Sequence, residues 1–341
     1  MDALRHCANW FRAYYNSYGI PLKYFPALWG WIEGLQHTSE STGPGWLYRR
    51  GARPLAQIIE ASGPDIVVAT EVGTCELAAL FKRKMNLNFR LVASPTGADV
   101  DRSWVQPEVD LYVLEPHEAA PALESWGAPA SKIVPCGFPV EPGDQVIPER
   151  TILQKKLGLA ADVSTLLVSF GGLGIGNPRW IIAALEKVRT PFQTVWIAGR
   201  NERLRKQLNG ELSGVQNARV LGWVENMQEW MKAADVLLGK PGSSTVFEAI
   251  NSGLPFLVFD PLPGGERRTC VLIEKWQTGH WIRRPDDLAP ILERLLRNPE
   301  ELRRLRQNAL AIARPNAARE AAQAILNLLS ASVAEEKQIN A

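Results

Sequence analysis

The sequence predicts an α/β protein built from two parallel-sheet units. Three observations carry this. The chain has 341 residues, more than one hydrophobic core ordinarily holds. Short apolar runs alternate with helical patterns throughout, the signature of β-α-β crossovers and parallel sheets. A segment rich in proline, glycine and charge, "VEPGDQVIPER" at 140–150, divides the alternation into two blocks.

In the first block, "DIVVAT" (65–70), "RLVAS" (90–94), "DLYVL" (110–114) and "KIVPCG" (132–137) read as short buried strands, with helices such as "ELAALFKRKM" between them. In the second, the strands are "TLLVSF", "FQTVWIAG", "ARVLG", "DVLLG" and "PFLVFD". From Pro285 onward the pattern is helical, through "DDLAPILERLLR" and "PEELRRLRQNALAIAR" to an alanine-rich stretch ending near Leu329. The expected organisation is a first domain over 1–140, a linker over 141–150, a second domain over 151–313, and a C-terminal helix and tail over 314–341 that returns towards the first domain.

Composition narrows the function. A 46% hydrophobic and 22% charged chain is an ordinary globular protein, and a net charge of +2 gives no reason to expect nucleic acid. The basic run Arg303, Arg304, Arg306 alternates with leucines at helical spacing and reads as a solvated helix face. Cys7, Cys75, Cys136 and Cys270 are widely spaced without a CxxC, which fits neither a disulfide framework nor a zinc site and points to a reducing cytosol. No run approaches eighteen apolar residues, and the start has no apolar signal-peptide core. Twelve tryptophans are nevertheless many, and Trp10, Trp29, Trp31 and Trp46 crowd the first fifty residues beside Phe11, Tyr14, Tyr15, Tyr24 and Phe25. Two readings stand: an aromatic surface for a bilayer interface, or rings packed between helices.

In parallel sheets, ligands bind beyond the carboxyl ends of the strands, so chemistry is sought in those loops. "SFGGLGIGN" follows a strand, and Asn177 with Pro178 supplies an N-cap and first helical residue. The loop suits a phosphate, or is a tight turn. Its glycines, Gly171, Gly172, Gly174 and Gly176, do not spell G-x-G-x-x-G, and no acidic residue ends the next strand, which argues against a dinucleotide cofactor. In "KPGSSTVFEAINSGLPFLVFD", Ser243 or Ser244 as helix cap creates an anion site, and Glu248 follows on the same face, within reach of a sugar's vicinal hydroxyls. The competing reading is a capping box, Thr245-x-x-Glu248.

Taken together, "KPGSSTVFEAINSGLPFLVFDPLPGGE", "SFGGLGIGN", "IAGRNERLRKQL" and "RVLGWVENMQEWMKAADVLLG" resemble the UDP-binding half of the GT-B glycosyltransferases. The resemblance is to the monogalactosyldiacylglycerol and processive diacylglycerol glycosyltransferases, with the peptidoglycan lipid-intermediate N-acetylglucosaminyltransferase more distant. It extends into the first block through "YYNSYGIPLKYFPALWG", "GPDIVVAT", "PTGADVDRSW" and "IVPCGFPVEP". It implies two Rossmann-like domains with a cleft between them. The family's first strand and its glycine-rich loop ending in histidine precede the region aligned with Met1, so the N-terminal domain is expected to be incomplete.

The resemblance also implies roles. Gly242, Ser243, Ser244, Gly172 and Gly174 would face the diphosphate, and Glu248 the ribose. Gly199, Arg200, Trp223, Val224 and Met227 would border the base; Arg200 is otherwise a surface ion pair and Met227 a core residue. Glu266, after Gly265, would grip the donor sugar, although Gly265 replaces the family's glutamine and "RRTC" lacks its asparagine. Asp99 would deprotonate or orient the acceptor hydroxyl, with Asp101 as second candidate. His117 reads as a satisfied structural histidine in preference to a base. Trp10, Trp29 and Trp31 would meet acceptor or membrane. No metal is expected, since D-x-D is absent and helix N-termini can stabilise a departing diphosphate. The implied protein uses no cofactor beyond its UDP-sugar donor and acts on a lipid acceptor as an inverting hexosyltransferase, peripheral at the cytoplasmic face of the membrane. A sugar-nucleotide epimerase and a non-catalytic UDP-sugar-binding protein are the alternatives.

Overall fold

A computed structural model describes residues 3–17, 25–41, 45–140 and 148–339. Most of the linker expected at 141–150, and Tyr24, lie outside them; so do the side chains of Tyr14, Tyr15 and Trp29. The chain divides into two compact units. One comprises Met1–Pro142, Pro263–Gly265 and Asn316–Ala341; the other comprises Gly143–Leu262 and Glu266–Pro315.

The first unit holds a parallel sheet in sequential order, β1 (Ile66–Ala69), β2 (Arg90–Ala93), β3 (Leu111–Val113) and β4 (Ile133–Val134). These are the four strands expected from the apolar runs, each shorter than its run because the flanking residues turn into loops. Helices α1 (Asn9–Ser17), α2 (Pro26–His37), α3 (Gly45–Gly51) and α4 (Arg53–Ser62) precede the sheet; α5 (Val72–Met85) links β1 to β2, and α6 (Ala119–Ser125) links β3 to β4. One core gathers Phe89, Leu91, Trp104, Tyr112, Leu114 and Leu123. On the other face Val92, Leu111, Val113 and Cys136 meet Ala321, Ala324, Ile325 and Leu328 of the last helix, α15 (Ala317–Ile339). The alanines let the helix lie close.

The N-terminal aromatics divide between the two readings. Phe11 is fully buried against Tyr48, so near to Gly51 that a Cβ there would lie 2.2 Å from its ring. Trp10, Phe25, Trp31 and Trp46 are exposed instead.

The second unit is a six-stranded parallel sheet: β5 (Ser164–Ser169), β6 (Phe192–Ile197), β7 (Ala218–Leu221), β8 (Val236–Gly239), β9 (Phe256–Phe259) and β10 (Gly279–Ile282). The last strand is absent from the sequence reading. Its order is β10-β9-β8-β5-β6-β7, the doubly wound arrangement in which the chain runs outward from β5, returns, and builds the other half from β8. Crossover helices are α7 (Arg150–Leu157) before β5, then α8 (Pro178–Leu185), α9 (Glu202–Glu211), α10 (Met227–Ala233), α11 (Ser243–Asn251) and α12 (Gly265–Lys275); α13 (Pro285–Arg297) and α14 (Pro299–Ile312) follow β10. Strands covered on both faces read as continuous apolar runs, as here. Leu166, Val168, Trp196, Leu238, Leu257 and Phe259 form the core with Leu288 and Leu292 of α13. Buried Trp196 stacks on Phe170 and donates its indole N–H to Thr194 Oγ1 at 2.9 Å, so its polar edge is satisfied.

All four cysteine thiols are buried and none forms a disulfide. Among the described residues no helix is long and apolar enough to cross a membrane.

Candidate active site

The strand order of the second unit creates one crevice. β5 and β8 are neighbours, with Ser169 opposite Gly239, yet their chains leave in opposite directions across the sheet. The loops beyond their carboxyl ends are Phe170–Asn177 and Lys240–Gly242, the two glycine-containing stretches singled out by sequence. They flank the same switch point, where doubly wound sheets bind ligands.

On the β8 side the expected serine cap is corrected. Gly242 is the N-cap of α11 (φ −65, ψ 139), Ser243 and Ser244 are the first two helical residues, and no side chain caps the helix. The N–H groups of a helix's first turn lack intrahelical partners, so this end keeps its donors and positive dipole for another group. A Cβ on Gly242 would meet nothing within 4 Å. Neither a positive φ nor packing requires glycine there; glycine is among the residues favoured at an N-cap, and without a side chain it leaves the helix start open. The capping-box reading fails, because Thr245 lies inside the helix and cannot be its N-cap. Glu248 is half-buried one turn beyond Ser244. Lys240, unnoticed in the sequence, follows β8 directly; its Nζ is 3.9 Å from Asp260 Oδ2.

On the β5 side, Asn177 caps α8 by accepting from Arg179 N–H at 3.1 Å, behind Pro178. The glycines here have a local cause. Gly174 has φ +60, and a Cβ would lie 2.1 Å from Ala198 O; one on Gly199, also at φ +60, would lie 2.4 Å from Gly171 O. Arg200 N–H donates to Gly172 O, and Asn201 Nδ2 donates to Gly174 O at 2.8 Å. The loops after β5 and β6 are thus locked backbone to backbone. The Trp223 ring extends this ledge, with Gly172 beside it and the Arg200 guanidinium 4.1 Å from its centroid. Arg200 is therefore a stacked cation, contrary to the ion-pair reading. Met227 is half-buried as the first residue of α10 and Val224 half-buried before it, so Met227 does not belong to the core.

Gly265 opens α12, and Glu266 accepts the Leu262 N–H at 2.7 Å, which fixes the carboxylate over the turn after β9. Burial, reinforced by Glu266 and Glu274, pushes the Cys270 thiol up to about 12, so it stays protonated.

In the first unit, Glu71 beyond β1 accepts from Gly73 and Thr74 N–H, and Glu115 beyond β3 accepts from His117, Glu118 and Ala119 N–H. Both helix starts hold the protein's own carboxylates. His117 has an exposed side chain and only its backbone engaged in that cap, so it is neither a buried structural histidine nor a base held by a partner. The loop after β2 carries Asp99 and Asp101. The structure brings to them a residue the sequence reading missed: His37, at the end of α2, places Nδ1 2.9 Å from Asp101 Oδ1 and Nε2 3.9 Å from Asp99 Oδ1. Trp126 meets the imidazole edge-on at 5.7 Å. Sixty-four residues separate His37 from Asp101, beyond any local pattern.

With this geometry in hand, the comparisons with known proteins divide along the same line. Residues 165–298 match the family of group 1 glycosyl transferases, and residues 2–140 match monogalactosyldiacylglycerol (MGDG) synthase. The chain is a glycosyltransferase of the GT-B fold. This glycosyltransferase is 25% identical over 285 residues to a processive diacylglycerol beta-glucosyltransferase of Staphylococcus saprophyticus, covering 83% of this chain and 72% of the relative. Its fold is similar to that of MurG from Acinetobacter baumannii (TM-score 0.60, 15% identity, 85% and 81% of the two chains). It is also similar to Anabaena Alr3699/HepE, solved in complex with UDP (TM-score 0.53, 16% identity, 80% and 82%). The resemblance carried by the sequence motifs is thereby borne out.

Proposed function

We propose that this glycosyltransferase moves a hexose from a UDP-sugar to the hydroxyl of a diacylglycerol-type lipid, with inversion at the anomeric carbon, at the cytoplasmic surface of a membrane. The observation that carries the donor reading is the crevice between β5 and β8, where an α-helix start without a side-chain cap faces an interlocked glycine loop. The diphosphate lies against Gly242, Ser243 and Ser244 and the Gly172 loop. Lys240 and the helix dipole offset its charge without a divalent cation. Glu248 accepts from the ribose hydroxyls, and the Trp223–Arg200 ledge with Val224 and Met227 borders the base. Gly265 and Glu266 hold the sugar.

The acceptor reading rests on the MGDG synthase match over 2–140, on the named activity of the relatives, and on the exposed Trp10, Trp31 and Phe25. In the reaction the acceptor oxygen bonds to the anomeric carbon, its proton passes to a base, and the bond to the diphosphate breaks as UDP leaves.

The test is UDP release from UDP-glucose, UDP-galactose and UDP-N-acetylglucosamine, each with and without vesicles containing diacylglycerol. Release that requires vesicles and yields a glycolipid is expected. Turnover of a UDP-sugar that ignores vesicles favours an epimerase; tight UDP binding without any turnover favours a binding protein. Either result sinks the proposal.

A further inference from the structure

We infer that His37 is the base that takes the proton of the acceptor hydroxyl, and that Asp101 is the residue that positions it. The inference rests on the transferase reading above and moves the proton from the Asp99 and Asp101 carboxylates to an imidazole.

Asp101 is already engaged: its Oδ1 lies 2.9 Å from His37 Nδ1, while its side chain is only 30% exposed. A carboxylate oxygen only accepts, so this bond places the imidazole's proton on Nδ1 and leaves the Nε2 lone pair as the acceptor. Nε2 is 3.9 Å from Asp99 Oδ1, beyond hydrogen-bond distance, so Asp99 does not consume it. An imidazole held by a carboxylate at one nitrogen and presenting a lone pair at the other is the arrangement that deprotonates hydroxyls on unrelated folds. Asp101 is committed to this bond, whereas Nε2 presents its lone pair, so the geometry makes the imidazole the base of the cluster.

Three further features agree. The loop that carries Asp99 and Asp101 leaves the carboxyl end of β2, where parallel sheets place reacting groups. His37 is the last residue of α2, whose C-terminal dipole favours the imidazolium that forms. At 100° per residue it also lies on the face of α2 opposite Leu28, which belongs to an exposed apolar stripe with Trp31 and Leu35. One helix thus presents a lipid-compatible side and a basic side.

In the step, Nε2 takes the hydroxyl proton as the oxygen forms its bond to the anomeric carbon, and UDP departs with the electron pair of the broken bond. The imidazolium is stabilised by Asp101 and by the nearby Asp99, then returns its proton to water. The groups facing the ring are those two carboxylates and the Trp126 edge; Arg102, next in sequence, is paired with Glu40.

The full chain is assayed for hexose transfer to diacylglycerol vesicles from UDP-glucose and UDP-galactose, with UDP affinity measured alongside. His37→Ala is expected to lower kcat about a hundredfold or more while UDP affinity changes less than twofold, and added imidazole is expected to restore part of the rate. Wild-type kcat falls below the pH at which the imidazole protonates, a limb that His37→Ala loses. Asp101→Asn is expected to lower kcat at least tenfold with UDP affinity intact. A His37→Ala enzyme that keeps a fifth of the wild-type kcat overturns the assignment. So does a slow variant that neither responds to imidazole nor loses the acidic limb, which makes the pair a structural tether. A wild-type chain that transfers nothing from either donor overturns the transferase reading itself, and the base falls with it.

Discussion

Glu248 shows how placement within a helix decides a residue's meaning. Had Thr245 been the cap, the glutamate would have served its own backbone; with Gly242 as cap, it stands six positions into α11 with no box to close. A carboxylate accepting from two vicinal hydroxyls contributes about 1.5–3 kcal/mol. Glu248→Gln is therefore expected to weaken UDP binding about tenfold in a calorimetric titration without moving the unfolding midpoint; unchanged affinity would remove it from the ribose. Glycines at the two sides of the same crevice differ in kind. Gly174→Ala drives a Cβ to 2.1 Å from Ala198 O in a left-handed conformation and is expected to cost about 2–3 kcal/mol in urea unfolding. Gly242→Ala meets no atom, and its cost is expected to stay within about 1 kcal/mol while UDP affinity falls. Equal destabilisation by both substitutions would contradict this division.

Elements were legible where their causes are local. Every apolar run read as a strand is one, and Asn177–Pro178 opened a helix because both halves of that signal act within one turn. β10 escaped because "GHWI" is short and half polar. It is a strand because it adds to β9 so closely that a Cβ on Gly279 would lie 1.8 Å from Phe256 O. The Trp223–Arg200 ledge was readable only as a neighbourhood, since stacking needs three loops brought together by the order of β5, β6 and β7. His37 gave no signal at all: its partners sit in another loop 64 residues on, and sequence periodicity carries no information over that distance.

For the whole molecule, the proposed membrane contact is tested first on the exposed apolar face of α2. Leu28, Trp31 and Leu35 recur at helical spacing and are 50%, 64% and 55% exposed. Burying one such side chain in an interface is worth about 1.5–3 kcal/mol. Leu28→Ala combined with Trp31→Ala is expected to lower partitioning onto diacylglycerol-containing vesicles at least tenfold in co-sedimentation, with UDP affinity unchanged. Equal partitioning would take the stripe out of the lipid reading. The division into two α/β units was visible in the motifs, because loops at strand ends keep their glycines and acids close in sequence. The partition of the N-terminal aromatics was not, because burial of Phe11 and exposure of Trp10, adjacent in the chain, depend on where Gly51 and Tyr48 lie.

The carboxylates of Glu71 and Glu115 carry a consequence for molecular traffic. A twice-used architecture invites the same guest twice, since every helix that starts beyond a parallel strand attracts phosphate. In the first unit those two doorways are shut from within by fixed negative charge, so a nucleotide, free phosphate or phospholipid headgroup meets repulsion there. On the proposed function the anion is received in the second unit, at the start of α11, and an uncharged alcohol would meet no bound phosphate at the two carboxylate-capped helix starts of the first.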